Sequence, residues 1–164
     1  FCFDCDRTRN FRKVMSRIGR RIAFDYGDVR IGVAITDSSG ILATPLEFLS
    51  NSPEQLRTDL INLYETYVPI YTAVGYPLHL SGSESAKSAS VTKFAELITE
   101  ISPAPIYLID ERMTTVSASR TLRDAGLNAK SAKGEIDSMA AVAILDSALN
   151  QERIQGEPMN RLEP

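Results

Sequence analysis

Apolar positions along the chain change period several times, and each change marks an element. Residues 21–26 (R-I-A-F-D-Y) and 30–36 (R-I-G-V-A-I-T) are apolar-rich runs of strand length around Gly27-Asp28. The short connection predicts an antiparallel hairpin. Asp37-Ser38-Ser39-Gly40 is a turn signal, and residues 41–49 predict a third strand in which Pro45 marks an edge or a bulge. Ser52-Pro53-Glu54 then opens a helix to Tyr67, with a capping serine, proline at the first helical position and acid in the first turn. Its apolar face is Leu56, Leu60, Leu63 and Tyr67. A buried strand is expected over residues 70–75 and a turn-rich loop over 76–85. A helix is expected over 86–101 with Val91, Phe94, Ala95 and Ile98 inward, and another strand over 105–110. Helices at 115–125 and 134–150 complete the order, followed by a polar stretch expected to fray.

Three strands in a meander, then alternating helices and strands, predict an α/β domain: a mixed five-stranded sheet flanked by helices. The chain has 164 residues, 43% of them hydrophobic, which suits one core. We divide it into an N-terminal extension (1–20), a domain (21–150) and a C-terminal tail (151–164). No apolar run approaches the ~20 residues that span a membrane, and no apolar leader stands at the start, so a cytoplasmic location and no membrane partner are expected.

Charge adds a second division. Residues 1–21 hold seven Lys/Arg and two Asp (+5), and residues 22–164 hold eleven Lys/Arg and nineteen Asp/Glu (−8). The acidic body argues against broad electrostatic coating of nucleic acid, but a local basic groove beside an acidic site remains compatible with it. The basic segment reads as an extension outside the fold, with a nucleic-acid arm as the alternative; Met15 offers a natural start. Cys2 and Cys5 have the spacing of half a zinc site, but there is no second pair and His79 is distant in sequence.

Three carboxylates stand out for chemistry. Asp25 comes late in a buried strand just before glycine, where a charge needs a partner; the alternative is an acid bonded to the Gly27 turn. Asp110-Glu111 ends an apolar strand, and only one of the two can share the face of Asp25. A surface Glu111–Arg112 pair is the competing reading. Asp137 precedes Ala140, Ala141 and Ile144 by three, four and seven residues, so it shares their apolar helical face; a helix-dipole role explains its place near the helix start but not that face. Carboxylates gathered from distant segments suit phosphodiester hydrolysis, in which oxygen ligands hold one or two Mg²⁺ or Mn²⁺ ions.

Four segments in order carry a resemblance. They are F-D-Y-G-D-V-R-I-G-V-A-I-T-D (24–37), V-G-Y-P-L-H-L-S-G-S-E (74–84), I-D-E-R-M-T-T (109–115) and I-D-S-M-A-A-V-A-I-L (136–145). Together they resemble the YqgF/RuvX family of pre-16S ribosomal-RNA nucleases and Holliday junction resolvases. The resemblance covers about residues 21–150 and implies a ribonuclease-H-like fold. It further implies a metal-dependent nuclease with catalytic, metal-holding acids Asp25, Glu111 and Asp137, and substrate contacts from Arg30, Arg112, Thr114 and Thr115. The implied partners are structured RNA in a ribosomal precursor particle, or branched DNA. Arg30 has an alternative as a structural partner of Asp28 or another acid, and Thr115 as a helix cap. Tyr76 and Met113 replace leucines of the family pattern, and Ser81 replaces an aspartate, which bears on substrate contacts rather than on the acids. His79, in the same loop, reads as an exposed residue, with a proton shuttle as the alternative.

Two readings from other classes compete. D-Y-G-x-x-x-I-G-V-A also resembles the phosphate loop of actin-like ATPases, but those duplicate the domain. A non-catalytic RNA-binding assembly factor would keep the acids for structure.

Overall fold

The computed structural model describes residues 17–77, 85–110 and 129–163; of residues 129–137 it describes the backbone. Five strands, β1 (Arg21–Tyr26), β2 (Arg30–Thr36), β3 (Ala43–Ser50), β4 (Tyr71–Tyr76) and β5 (Ile106–Asp110), form one sheet in the order β3-β2-β1-β4-β5. The meander β1-β2-β3 is antiparallel, while β4 and β5 run parallel to β1. Helices α1 (Pro53–Tyr67), α2 (Ala86–Ile101) and α3 (Ala129–Gln155) complete the described elements.

Strand alternation sorts the apolar side chains into two cores. Ile22, Phe24, Ile31, Val33, Val74 and Ile106 face α1 and α2. Ala23, Ala34, Ala73, Tyr107 and Ile109 face α3 through Ala141, Ile144, Leu145, Ala148 and Leu149. On that second face Ala34, Ala23 and Ala73 lie side by side across β2, β1 and β4. This row of methyl groups presents a shallow floor against which α3 packs.

Several expectations need correction. Ser52 precedes α1, but its carbonyl rather than its side chain takes the first helical N–H groups, from Gln55 and Leu56. The inward face of α1 is Leu56, Leu60 and Tyr64, with Leu63 part-buried. Tyr67 instead carries the Arg20 guanidinium 5.7 Å from its ring centre. The fold begins before β1: Gly19 N–H donates to Ser38, Ile70 N–H donates to Arg20, and Arg20 donates to the Thr36 carbonyl at 3.1 Å. Arg20, assigned to the extension, is therefore part of the folded domain, next to Arg21 at the start of β1.

The polar C-terminus does not fray. After α3 the chain turns at Gly156 (φ +93°), and Arg161 bridges Tyr107 antiparallel. Leu108 N–H donates to Asn160 and Leu162 N–H to Ile106, while Leu162 packs against the α1/α2 core. This segment covers the open edge of β5, and backbone pairing of that kind leaves no hydrophobic signature. The helix expected at 115–125 lies outside the described residues. No described helix is long and apolar enough to cross a membrane.

Candidate active site

The site grows from one row of the sheet. One β step beyond the alanine row, toward the C-terminal end of β1, Asp25 stands opposite Gly32 of β2. Phe24 pairs with Val74, so the next residue of β4, Gly75, lies on the other side of Asp25; Gly75 in turn pairs with Ile109. Asp25 has the parity of Ala23, which puts it on the α3 face. A part-buried carboxylate there is bordered across both neighbouring strands by residues without side chains. Neither neighbouring strand therefore projects a side chain beside the carboxylate, and Ala23 one layer below is fully buried.

The same parity separates the two acids of β5. Ile106 and Leu108 face α1 and α2, whereas Tyr107 and Ile109 face α3. Asp110 therefore stands on the face opposite Asp25.

Local turns brace this edge. A Cβ on Gly27 would approach the Arg30 carbonyl to 2.4 Å, so the hairpin closes only with glycine there. Asn51 Nδ2 donates to the Gly27 carbonyl at 2.8 Å, and Asn51 N–H donates to Val29. At the end of β4, the Ser88 hydroxyl donates to the Pro77 carbonyl at 3.3 Å from the first turn of α2, which Ser85 caps. Across the sheet, the Ser138 hydroxyl donates to the Leu46 carbonyl at 3.2 Å, tying α3 to β3. Ser138 directly follows Asp137 in the chain, so this bond anchors the helix beside that acid's backbone. At the far end of the helix Glu152 meets Arg21, the first residue of β1. Helix α3 thus runs antiparallel to β1, with Asp137 toward the Asp25 end.

Of the expected substrate contacts, Arg30 lies within the described residues. It has the parity of Gly32 and Ala34, hence the Asp25 face, and its guanidinium sits 4.5 Å from the ring centre of Phe48. Neither of the two ion pairs among the described residues involves it, so the pairing with Asp28 is not formed. Glu111, Arg112, Thr114, Thr115, His79 and Ser81 lie outside the described residues, and Asp137 is described by its backbone. The structure thus brings Asp25, Arg30 and the N-terminal part of α3 to one side of one sheet edge. Phe48 and Ser138 are the neighbours that sequence reading passed over. A bulge signal at Pro45 and a polar residue beside an acid on an apolar helical face were the available hints.

A mixed sheet with a three-stranded meander, two parallel strands, and an acid at the end of its central strand defines a ribonuclease-H-like domain. Solved structures agree on the fold: RuvC of T. thermophilus in complex with a Holliday junction substrate has a TM-score of 0.58 at 17% identity, covering 87% of this chain and 99% of that one. A second T. thermophilus RuvC structure gives 0.51 at 16% identity, covering 85% of this chain and 99% of that one.

The family model described as "RuvX: Holliday junction resolvase" matches residues 19–151, and the chain belongs to that family. A Streptomyces coelicolor relative named "Putative pre-16S rRNA nuclease" is 46% identical over 144 residues, covering 87% of this chain and 86% of its own. A Mycolicibacterium smegmatis relative of the same name is 44% identical, covering 82% of each.

Proposed function

We propose that this protein is a metal-dependent nuclease that hydrolyses phosphodiester bonds in the cytoplasm during 5′-end maturation of pre-16S ribosomal RNA. The observation that carries the reading is the row Gly32–Asp25–Gly75, in which a strand-end acid on the α3 face of the sheet is flanked on both neighbouring strands by glycines. Glycines on both sides keep the neighbouring strands from obstructing that carboxylate, as contact with a phosphate and its counter-ions requires.

Asp25, Glu111 and Asp137 would hold Mg²⁺ or Mn²⁺. The fit rests on hard oxygen donors and on the glycines that flank Asp25, while Asp110 stands on the opposite face of the sheet. When bound, a divalent cation supplies a more acidic water and positive charge near the leaving oxygen. The chain's own residues do the positioning. Arg30, Arg112 and Thr114 contact phosphate oxygens, with guanidinium groups suited to forked bonds and hydroxyls to single ones. Thr115 serves there too, or caps the helix that follows. The preferred substrate is structured RNA of a ribosomal precursor particle, in line with the names of the relatives. The family description favours a second substrate for the same chemistry, a four-way DNA junction.

The test is cleavage of precursor 16S RNA and of a four-way DNA junction with Mg²⁺ or Mn²⁺, by wild type and Asp25→Asn. Altering even a residue that only supports a metal ligand costs about 10–100-fold, so losing Asp25 itself is expected to cost at least ~100-fold. Wild-type cutting that the mutant retains refutes the site. Binding of RNA without cutting would instead support the assembly-factor reading.

A further inference from the structure

Edge strand β3 contains a feature that the reading above does not use. Ile31 pairs with Leu49, but Val33 pairs with Leu46, so Glu47 and Phe48 together stand opposite the single residue Gly32. This is a β-bulge, a device that re-aims side chains at sheet edges. Leu46 and Leu49 both pack toward the α1/α2 core, three residues apart instead of an even number. The extra residue delivers Phe48 to the guanidinium of Arg30. Phe48 is 36% exposed, so its role is not that of a core side chain.

The bulge lies level with the site. Its partner Gly32 is also the partner of Asp25, so Asp25, Gly32 and the bulge form one continuous row across β1, β2 and β3. Arg30 is two residues from Gly32 along β2, on the same face. An arginine at a strand end has many rotamers, and a ring face restricts them by attraction to the ring's negative quadrupole. Gly32 contributes no side chain between the ring and Asp25.

We propose that Phe48 is a positioning residue: it holds the Arg30 guanidinium at the level of Asp25, where the fork receives a phosphate of the bound strand. This rests on the nuclease reading and adds to it the element that pre-orients the phosphate contact. Phe48 acts through Arg30 and has no contact with the reacting atoms.

The experiment measures equilibrium binding of precursor 16S RNA and of a four-way DNA junction across a salt series, with cleavage kinetics in parallel. The proteins are wild type, Phe48→Leu, Phe48→Tyr, Arg30→Ala and the double variant Phe48→Leu/Arg30→Ala. Leucine keeps an apolar side chain and removes the ring; tyrosine restores the ring. Phe48→Leu is expected to raise Kd and KM about 2- to 5-fold, the scale of an exposed cation–π contact, and Phe48→Tyr to stay within twofold of wild type. Arg30→Ala is expected to reduce the slope of log K against log salt by about 1, one phosphate contact. Adding Phe48→Leu to Arg30→Ala is expected to change nothing further.

Additive losses in the double variant, or wild-type binding by Phe48→Leu beside impaired Arg30→Ala, would overturn the positioning role while leaving the nuclease reading intact. A wild type that binds neither nucleic acid would remove the nuclease reading, and this proposal with it.

Discussion

Glutamate 152 offers the sharpest test of how α3 is held to the sheet. Arg21, the first residue of β1, is 1% exposed, and its partner Glu152 on the last turns of α3 is 12% exposed. The guanidinium forks onto the carboxylate through Nε (3.1 Å) and Nη2, and the Tyr71 hydroxyl donates to the same carboxylate at 2.9 Å. Arg21 also donates to the Gly19 carbonyl. Burial and the adjacent Glu152 carboxylate push the Tyr71 hydroxyl well above the ordinary tyrosine range, so it remains a donor. Truncating Glu152 to alanine leaves a guanidinium charge in the interior with the Gly19 carbonyl as its remaining hydrogen-bond partner. Stranding one member of a buried pair costs about 3–5 kcal/mol. At roughly 2–4 °C per kcal/mol for a domain of this size, Tm should fall by about 6–20 °C. The chain has no tryptophan, so urea unfolding is best followed by circular dichroism. Cleavage by the folded fraction should be unchanged, because Arg21 sits at the opposite end of β1 from Asp25, four residues or ~13 Å away. Replacing both partners with apolar residues, Arg21→Met with Glu152→Leu, should recover much of the loss, since neither charge is then buried. An alanine variant within about 1 kcal/mol of wild type would show that the pair is solvated in solution and refute the reasoning.

Two further predictions follow from the same physics elsewhere. Tyr64 and Thr72 share a fully buried hydroxyl–hydroxyl bond of 2.5 Å, and Tyr64→Phe should cost about 1–3 kcal/mol by stranding Thr72, whereas Tyr64→Phe with Thr72→Val should be closer to neutral in a chemical-denaturation cycle; equal costs for single and double variants would contradict this. In the turn after β2 the Asp37 carboxylate accepts the N–H groups of Ile41 and Leu42 and the Ser39 hydroxyl, which together hold its pKa below 3.8. Since the folded value is depressed, the contribution to stability is present above the unfolded pKa and fades as pH falls through the folded one. An NMR titration should find Asp37 changing charge below pH 3.8, and a midpoint above that would break the argument.

How much of this was legible beforehand follows from how local each determinant is. Strand alternation and helical periodicity are local, so the spans of β1, β2, α1 and α2 could be read directly, as could the Val91–Phe94–Ala95–Ile98 face of α2. Parity along β5 also implied that at most one of Asp110 and Glu111 could share the face of Asp25, and Asp110 stands on the opposite face. The candidate acids themselves were visible because a carboxylate at a strand end or on an apolar helical face conflicts with burial unless something offsets it.

Tertiary structure decided the rest. Residues 160–162 close the edge of β5 by backbone bonds, which any side chains permit and no periodicity reveals. Arg21 was placed at the start of the first strand, but nothing local marks it as one of the most buried side chains, because its partner is 131 residues away on α3. Gly32 and Gly75 were ordinary strand glycines until pairing set them on either side of Asp25. The bulge that brings Phe48 to Arg30 depends on register between β2 and β3, which both strands settle together. The sequence by itself determined the strands, the helices α1 and α2, the inward face of α2 and the family, since each rests on neighbours within a few residues or on a linear motif. The fold alone decided which glycine, ring or ion pair stands beside which acid, because those partners meet only across strands and between the two ends of the chain.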